Sequence, residues 1–287
     1  MTAREEVSVS AVVRRRLAQE LRRLREAAHL KIEEVAAALE VSASKISRIE
    51  TGRVLVSPRD VRDLLKIYHV PSDQRDGLIQ LARDARQKGW WHAYAHGLQP
   101  QVASYLSLES AASELRIYRV SRMHGLLQTE DYCRAMLTAA TIGIQEPDTA
   151  EESVQLLMER QRQAASNPAR LWVVLDEAAL RYRVGGREIM RMQIEHLIEL
   201  SSRPDVLIQV LPYNAALHLA VDVSFTIMAF PDQTDADVVC IGYPTGVLWI
   251  EDLADVDRYN SLFEHMQAAA LSPEDSVALM LSAIKDL

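Results

Sequence analysis

The side chains best suited to chemistry in this sequence are Ala43, Ser44, Lys45, Ser47 and Arg48, which share the outward side of the segment Val41 to Gly52. Short side chains let a backbone approach base edges, and the two cations can reach bases or phosphates. Such a set needs a rigid carrier. Val41, Ile46 and Ile49 mark the apolar face of a helix that begins after Ser42, a good N-cap, and ends near Gly52, where a C-cap glycine belongs. Val35 and Leu39 mark the face of a preceding helix, and Ala36 is small enough for the two to cross closely. The turn between them is too short for an antiparallel hairpin, so the spacing predicts a helix-turn-helix whose second helix reads DNA.

The charge pattern points the same way once it is divided. The chain of 287 residues carries a formal net charge of −8. Residues 1–90 hold 18 Lys and Arg against 13 Asp and Glu, a net of +5, while residues 91–287 hold 14 against 27, a net of −13. A basic head is drawn to an anionic partner and an acidic body is kept off it. The length allows two domains. Met1 to Glu6 lacks an apolar run, which argues against a secretory signal, and no run of about 20 apolar residues exists to span a membrane. Cys133 and Cys240 make no disulfide framework, so reduced, buried thiols in a cytoplasmic protein are expected.

The remaining elements follow from periodicity. A flexible arm is expected over 1–12, then a helix from Arg14 to Ala28 with Leu17, Leu21 and Leu24 inward. Its other faces carry Arg14, Arg15, Arg16, Arg22, Arg23 and Arg25, some of them expected on phosphate. Ser57-Pro58 announces a helix with Val61, Leu64, Leu65 and Tyr68 on one face, and a fifth runs through Leu78, Ile79 and Ala82. The expected fold is thus an N-terminal all-α helix-turn-helix domain of about five helices, over 13–88, joined to a larger α/β domain over 89–287. That body has a sheet of about five strands, drawn from 116–120, 171–175, 206–211, 225–230 and a hairpin-like pair at 238–241 and 247–250. Helices are expected over 101–115, 150–165, 187–200, 254–270 and 273–285. The apolar helices at 187–200 and 254–285 are offered to a second copy, with burial in their own domain as the competing use.

Catalytic patterns are incomplete. His92 and His96 stand four apart, a spacing that can hold a metal, but Ala93 occupies the place of a glutamate base and no third ligand is evident. Gly185-Gly186-Arg187 before a helix can hold an anion, although a tight turn explains it better. Asp176-Glu177 pairs two carboxylates that, as neighbours at a strand end, seldom converge on one atom. No nucleophile elbow and no phosphate loop occurs. Trp90, Trp91, Tyr94, Tyr213, His218 and Trp249 suit the lining of an effector pocket, with ordinary packing as the commoner use. No enzyme, cofactor or metal is expected.

Residues 13–70 resemble the Cro/phage-repressor-like (xenobiotic-response-element) helix-turn-helix family, most specifically in Ser42-x-Ser44-Lys45-Ile46-Ser47-Arg48-Ile49-Glu50-x-Gly52. The body resembles the domain of unknown function attached to helix-turn-helix regulators of streptomycetes and related actinobacteria. The pieces that carry this likeness are Gly125-Leu126-Leu127-Gln128-Thr129-Glu130-x-Tyr132, Glu159-Arg160-Gln161, Leu175 to Leu180, Val184-Gly185-Gly186, Gln209-Val210-Leu211-Pro212 and Leu271-Ser272-Pro273-Glu274-x-Ser276. Three single positions depart from the pattern, and so does the loop Ile241-Gly242-Tyr243-Pro244, which lacks the acidic residue expected after that strand. Glu40 stands where the turn usually has glycine, Lys31 where a Thr or Ser cap is common, and His124 where proline commonly precedes Gly125.

On this reading Ala43, Ser44 and Arg48 face bases, while Lys31, Lys45, Ser47, Arg53 and Arg22 face phosphates. The expected activity is sequence-specific transcriptional regulation, with repression the simplest form. The expected state is a homodimer on a palindromic site of double-stranded DNA. The resemblance implies an antitoxin-like alternative in which the body binds a small partner protein encoded nearby and DNA binding is secondary or autoregulatory.

Overall fold

A computed structural model describes residues 10–51, 54, 56–84, 90, 100–140, 147–215, 223–231, 236–243 and 246–287. By contact the chain divides into two compact units, 1–108 and 109–287.

The first unit holds α1 (Ser10–Ala27), α2 (Ile32–Ala38), α3 (Ala43–Glu50), α4 (Pro58–Ile67), α5 (Ser72–Asp84) and most of α6 (Pro100–Ala111). The first helix starts at Ser10, inside the stretch expected to be a loose arm, and residues 1–9 lie outside the described ones. Leu17 and Leu21 of α1 meet Val35 and Ala36 of α2, Ile46 and Ile49 of α3, Val61, Leu64 and Leu65 of α4, and Ile79 and Ala82 of α5 in one buried core. Each large aliphatic side chain so buried contributes about 1.5–3 kcal/mol.

The first, second and fourth helices end alike. His29, Glu40 and His69 adopt φ of 57°, 54° and 56°, and the following residue sends its N–H back to the helix: Leu30 to Arg25, Val41 to Ala36 and Val70 to Leu65. This is the Schellman ending with an apolar residue closing it, built here without glycine.

The second unit is a mixed sheet in the order β3-β2-β1-β4-β5-β6, six strands among the described residues where about five were expected. These strands are β1 (Glu114–Arg119), β2 (Arg170–Asp176), β3 (Val206–Leu211), β4 (Phe225–Ala229), β5 (Val238–Tyr243) and β6 (Gly246–Ile250). The first three run parallel, and β4, β5 and β6 add antiparallel. The helices are α7 (Glu130–Ala140), α8 (Pro147–Ser166), α9 (Ala178–Arg181), α10 (Arg187–Leu200), α11 (Leu253–Ala269) and α12 (Pro273–Lys285). The helix expected over 101–115 stops at Ala111, because Ser113 already bonds to Ala229 and Arg170 at the mouth of the sheet.

Tyr118, Val174, Phe225, Ile227 and Val239 of the sheet pack on Val256, Phe263 and Met266 of α11. Met190, Ile194 and Leu197 of α10 and Met280 and Ala283 of α12 are likewise buried within the chain. The apolar faces offered to a second copy are therefore spent inside their own unit. Cys133 and Cys240 are free and buried, and burial pushes their thiols up to about 11 and about 12, which disfavours the thiolate at neutral pH.

Candidate nucleic-acid interface

The turn between α2 and α3 is closed from both sides. Glu34 accepts from the Lys31 N–H at 2.7 Å, supplying half of a capping box, so α2 is capped despite lacking Ser or Thr at Lys31. Glu40 takes the left-handed conformation that favours glycine, at a cost of about 1–2 kcal/mol. Ser42 Oγ then accepts from Lys45 N–H at 3.2 Å and starts α3. At the far end Thr51 is the C-cap, and its hydroxyl donates to the Ser47 carbonyl at 2.8 Å. Gly52 and Arg53 lie outside the described residues.

Burial decides which way α3 faces. Ile46, Ile49 and Glu50 are buried, whereas Ser44, Ser47, Arg48 and Thr51 are exposed. Those four follow the i, i+3, i+4, i+7 spacing that keeps side chains on one stripe. Ala43 is half-buried and packs against the core, so it stands at the edge of the open face beside Ser44. Lys45 sits on the flank, with Nζ 3.6 Å from the Asp60 carboxylate at the start of α4. Thr51 was missed by the sequence reading, and Ser47 belongs with Ser44 and Arg48.

Of the other cations, Lys31 is exposed, and Arg22 is 61% exposed while holding Glu26 at 2.8 Å. Arg23 pairs with Glu20 on the same helix. Arg25 is not a phosphate group. It is buried, and its guanidinium donates to Glu50 at 2.7 and 2.9 Å and to the Leu30 carbonyl at 2.8 Å. Tyr68 adds its hydroxyl to the same carboxylate at 3.4 Å, and burial and the Glu50 charge push its ionisation well above the usual tyrosine range. Four polar groups thus fix the end of α3 to α1 and α4. The side chains of Arg14, Arg15 and Arg16 lie outside the described residues.

In the second unit, Gly125–Leu127 forms a 3-10 turn stitched from three sides. Gln193 donates to the Leu127 carbonyl at 2.6 Å and accepts from Thr129 N–H at 2.8 Å. Gln161 donates to the Gly125 and Gln128 carbonyls at 2.7 and 2.8 Å, and Gln128 to that of Met123 at 2.8 Å. Arg160 grips Glu109 with both ends of its fork, and a β-carbon at position 125 would press on that guanidinium and on Leu157.

His124 is buried against this cluster. Burial first, then the Arg119 and Arg160 charges, hold its ring far below the usual histidine range, so it is neutral. Its Nδ1 accepts from Leu126 N–H at 3.3 Å, and its Nε2 stands 3.3 Å from the Arg160 guanidinium.

Two family models match the chain. Residues 16–78 match a helix-turn-helix domain, and residues 102–282, more than half of the chain, match a domain of unknown function (DUF5753). The chain belongs to the DUF5753 family. No curated protein and no solved structure is significantly similar to it. The helix-turn-helix domain marks it as a DNA-binding regulator, and the boundary between the two matches falls after residue 78 and before residue 102.

Within the DUF5753 domain Asp176, Glu177, Gly185 and Gly186 each stand at a turn. Asp176 accepts from Ala178 N–H at 2.8 Å, and Glu177 accepts from Arg181 at 2.9 Å and Tyr213 N–H at 3.1 Å, so the two carboxylates do not converge. Gly185 and Gly186 have φ of 68° and 94° and make the tight turn into α10, where a β-carbon on Gly185 would meet Ala135 and Ile189. Tyr213 is exposed and Trp90 and Trp249 are half-buried, while Trp91, His92, Tyr94, His96 and His218 lie outside the described residues. Among the described residues no three His, Cys, Asp or Glu side chains cluster as a metal site, and no helix is long and apolar enough to cross a membrane.

Proposed function

We propose that this chain is a sequence-specific transcriptional regulator that lays α3 in the major groove of double-stranded DNA and represses by occupying its operator. The observation that carries this reading is the stripe of Ser44, Ser47, Arg48 and Thr51 on the open side of a helix whose other side is fixed by Ile46, Ile49 and Glu50. Arg48 pairs with a guanine through two hydrogen bonds, and the hydroxyls take neighbouring base edges or phosphates. Lys45, Lys31, Arg22 and Arg53 neutralise phosphates around it.

One short helix reads only a few base pairs. Useful specificity follows from a homodimer on a palindromic operator, with half-sites about one turn of DNA apart. The resemblance to the Cro/phage-repressor-like family supports this mode of docking. The body, residues 91–287, far exceeds what is needed to tether a DNA-binding head, which favours a role in dimerisation. The resemblance to actinobacterial antitoxin-like regulators favours a small partner protein or effector that modulates DNA binding in the cytoplasm. The role is recognition, without catalysis.

Gel-shift titration against fragments of the source genome tests the assignment. The full chain retards a subset of fragments, with affinity falling steeply as salt rises. Residues 109–287 alone retard none. Retardation by that acidic unit alone contradicts the proposal.

A further inference from the structure

Lys45 and Arg48 stand three residues apart on α3, which makes an ammonium and a guanidinium neighbours on one side of the helix. The ammonium is already held by an acid. Its Nζ lies 3.6 Å from Asp60 Oδ2, in the first turn of α4. Neither group is deep, for 45% of the Lys45 side chain and 36% of that of Asp60 remain exposed. A pair so placed adds little to the stability of the fold, because solvent screens it. Its place beside the open stripe of α3 is what gives it an effect.

The carboxylate does not merely finish its own helix. Asp60 follows Ser57, the cap of α4, by three residues, and its N–H donates to Ser57 Oγ at 3.0 Å. At the same place in α2, Glu34 makes the return bond by accepting from the Lys31 N–H. Among the described contacts Asp60 makes no such return bond, and its carboxylate reaches across to α3 instead. The reach is fixed from both ends. Ser57 and Pro58 set the first turn of α4, while Val61 and Leu64 share one core with Ile46 and Ile49 of α3.

We propose that Asp60 is a resident anion of the DNA interface, which competes with DNA phosphate for Lys45 and so limits affinity for every sequence. This rests on the DNA-binding reading above and names a residue that tunes it.

The chemistry of the two cations separates their targets. An ammonium is a compact point charge that suits a phosphate, whereas the planar fork of Arg48 suits a guanine. A lysine gains on DNA by displacing a counterion from a phosphate. One already neutralised by a carboxylate must leave it first, so it gains less. Phosphate contacts carry no sequence information. Asp60 therefore lowers affinity for operator and random duplex alike and leaves the margin between them unchanged. A genome offers roughly 10⁶–10⁹ competing sites, and weaker sequence-blind binding shortens the stay on each.

Fluorescence anisotropy of the full chain over a range of salt concentrations reads this directly. Two duplexes serve as probes, one of random sequence and one from the genomic fragment bound most tightly. Asp60→Asn keeps the size of the side chain and removes its charge. It is expected to tighten both complexes by about three- to eightfold per subunit at about 0.1 M salt, and to steepen the salt slope by up to about 0.9, the share of one more phosphate. In a Lys45→Ala chain the same change is expected to lose most of that gain. Asp63→Asn removes an equal charge one turn along α4, where the carboxylate lies 3.6 Å from Lys66, and is expected to shift binding by less than about twofold. Circular dichroism is expected to be the same for all of them. An Asp60→Asn chain that matches the wild type in affinity and slope overturns the competition. So does a gain that persists in full without Lys45, or an equal gain from Asp63→Asn; each leaves the DNA-binding reading standing. A wild-type chain that binds neither duplex removes both.

Discussion

Arg25 in the last turn of α1 holds Glu50, the last residue of α3, through a two-pronged ion pair inside the helical unit. The pair fixes the far end of α3, and the Ser42 cap fixes its start. Breaking one partner leaves the other charge buried, which costs about 3–5 kcal/mol, whereas replacing both with apolar groups of similar size is close to neutral. Arg25→Met is expected to lower the urea midpoint of the helical unit sharply, and Arg25→Met with Glu50→Leu to restore most of it. A single variant as stable as the wild type contradicts this anchoring.

Glu40 carries the opposite kind of effect. Its φ of 54° strains any residue with a side chain, and no hydrogen bond of its side chain offsets this among the described contacts. Glu40→Gly relieves about 1–2 kcal/mol of strain and gives back part of it as unfolded-state entropy, for a net gain of about 0.5–1 kcal/mol. Calorimetry on the full chain is expected to show the helical unit melting a few degrees higher.

His124 makes the DUF5753 domain sensitive to acid. Its folded-state ionisation lies below that of the unfolded chain, so below about pH 6.5 the unfolded state binds a proton that the folded state does not. Stability from this group is intact above that pH and falls by up to about 1.4 kcal/mol per unit as the pH drops through the window beneath it. His124→Asn retains a side-chain acceptor for Leu126 N–H and removes the titration. Unfolding curves from pH 7 to 5 are expected to show a shallower loss in the variant, even if its stability at pH 7 is lower.

Phosphate and base contacts separate by their salt dependence. Lys31→Ala and Arg22→Ala weaken binding to every DNA sequence alike and lower the salt slope by about 1 each. Lys45→Ala does the same, and its charge is already partly answered by Asp60 at 3.6 Å, so its effect is the smallest of the three. Filter binding over a range of salt concentrations checks the order.

Much of this was legible because local signals agreed. Arg187–Leu200, Pro273–Lys285 and Val206–Leu211 fall where apolar periodicity, the Ser272-Pro273 start and β-branched content put them. The orientation of α3 was only partly read. Ala43 lies three residues before Ile46 and so turns toward the buried side, a consequence of helical spacing alone. The Arg25–Glu50 pair also left a trace: Arg25 follows Leu21 by four and Glu50 follows Ile46 by four, placing opposite charges on two buried stripes. The contacts of Gln128, Gln161 and Gln193 left none, because they join residues far apart in the chain and depend on how the elements assemble. The sixth strand was hidden in a count, since the 238–241 and 247–250 runs are separate strands of one hairpin.

The central claim is that the open stripe of α3 reads bases, and selection from a random DNA pool followed by sequencing tests it most directly. The full chain is expected to enrich a palindrome whose half-sites lie about 10 base pairs apart, each with a preferred guanine. Arg48→Ala is expected to lose that preference at one symmetric position in both half-sites, at a cost of about 1–3 kcal/mol, and to keep the others. A variant that enriches the same site with the same preferences, or a wild-type chain that enriches none, contradicts the account.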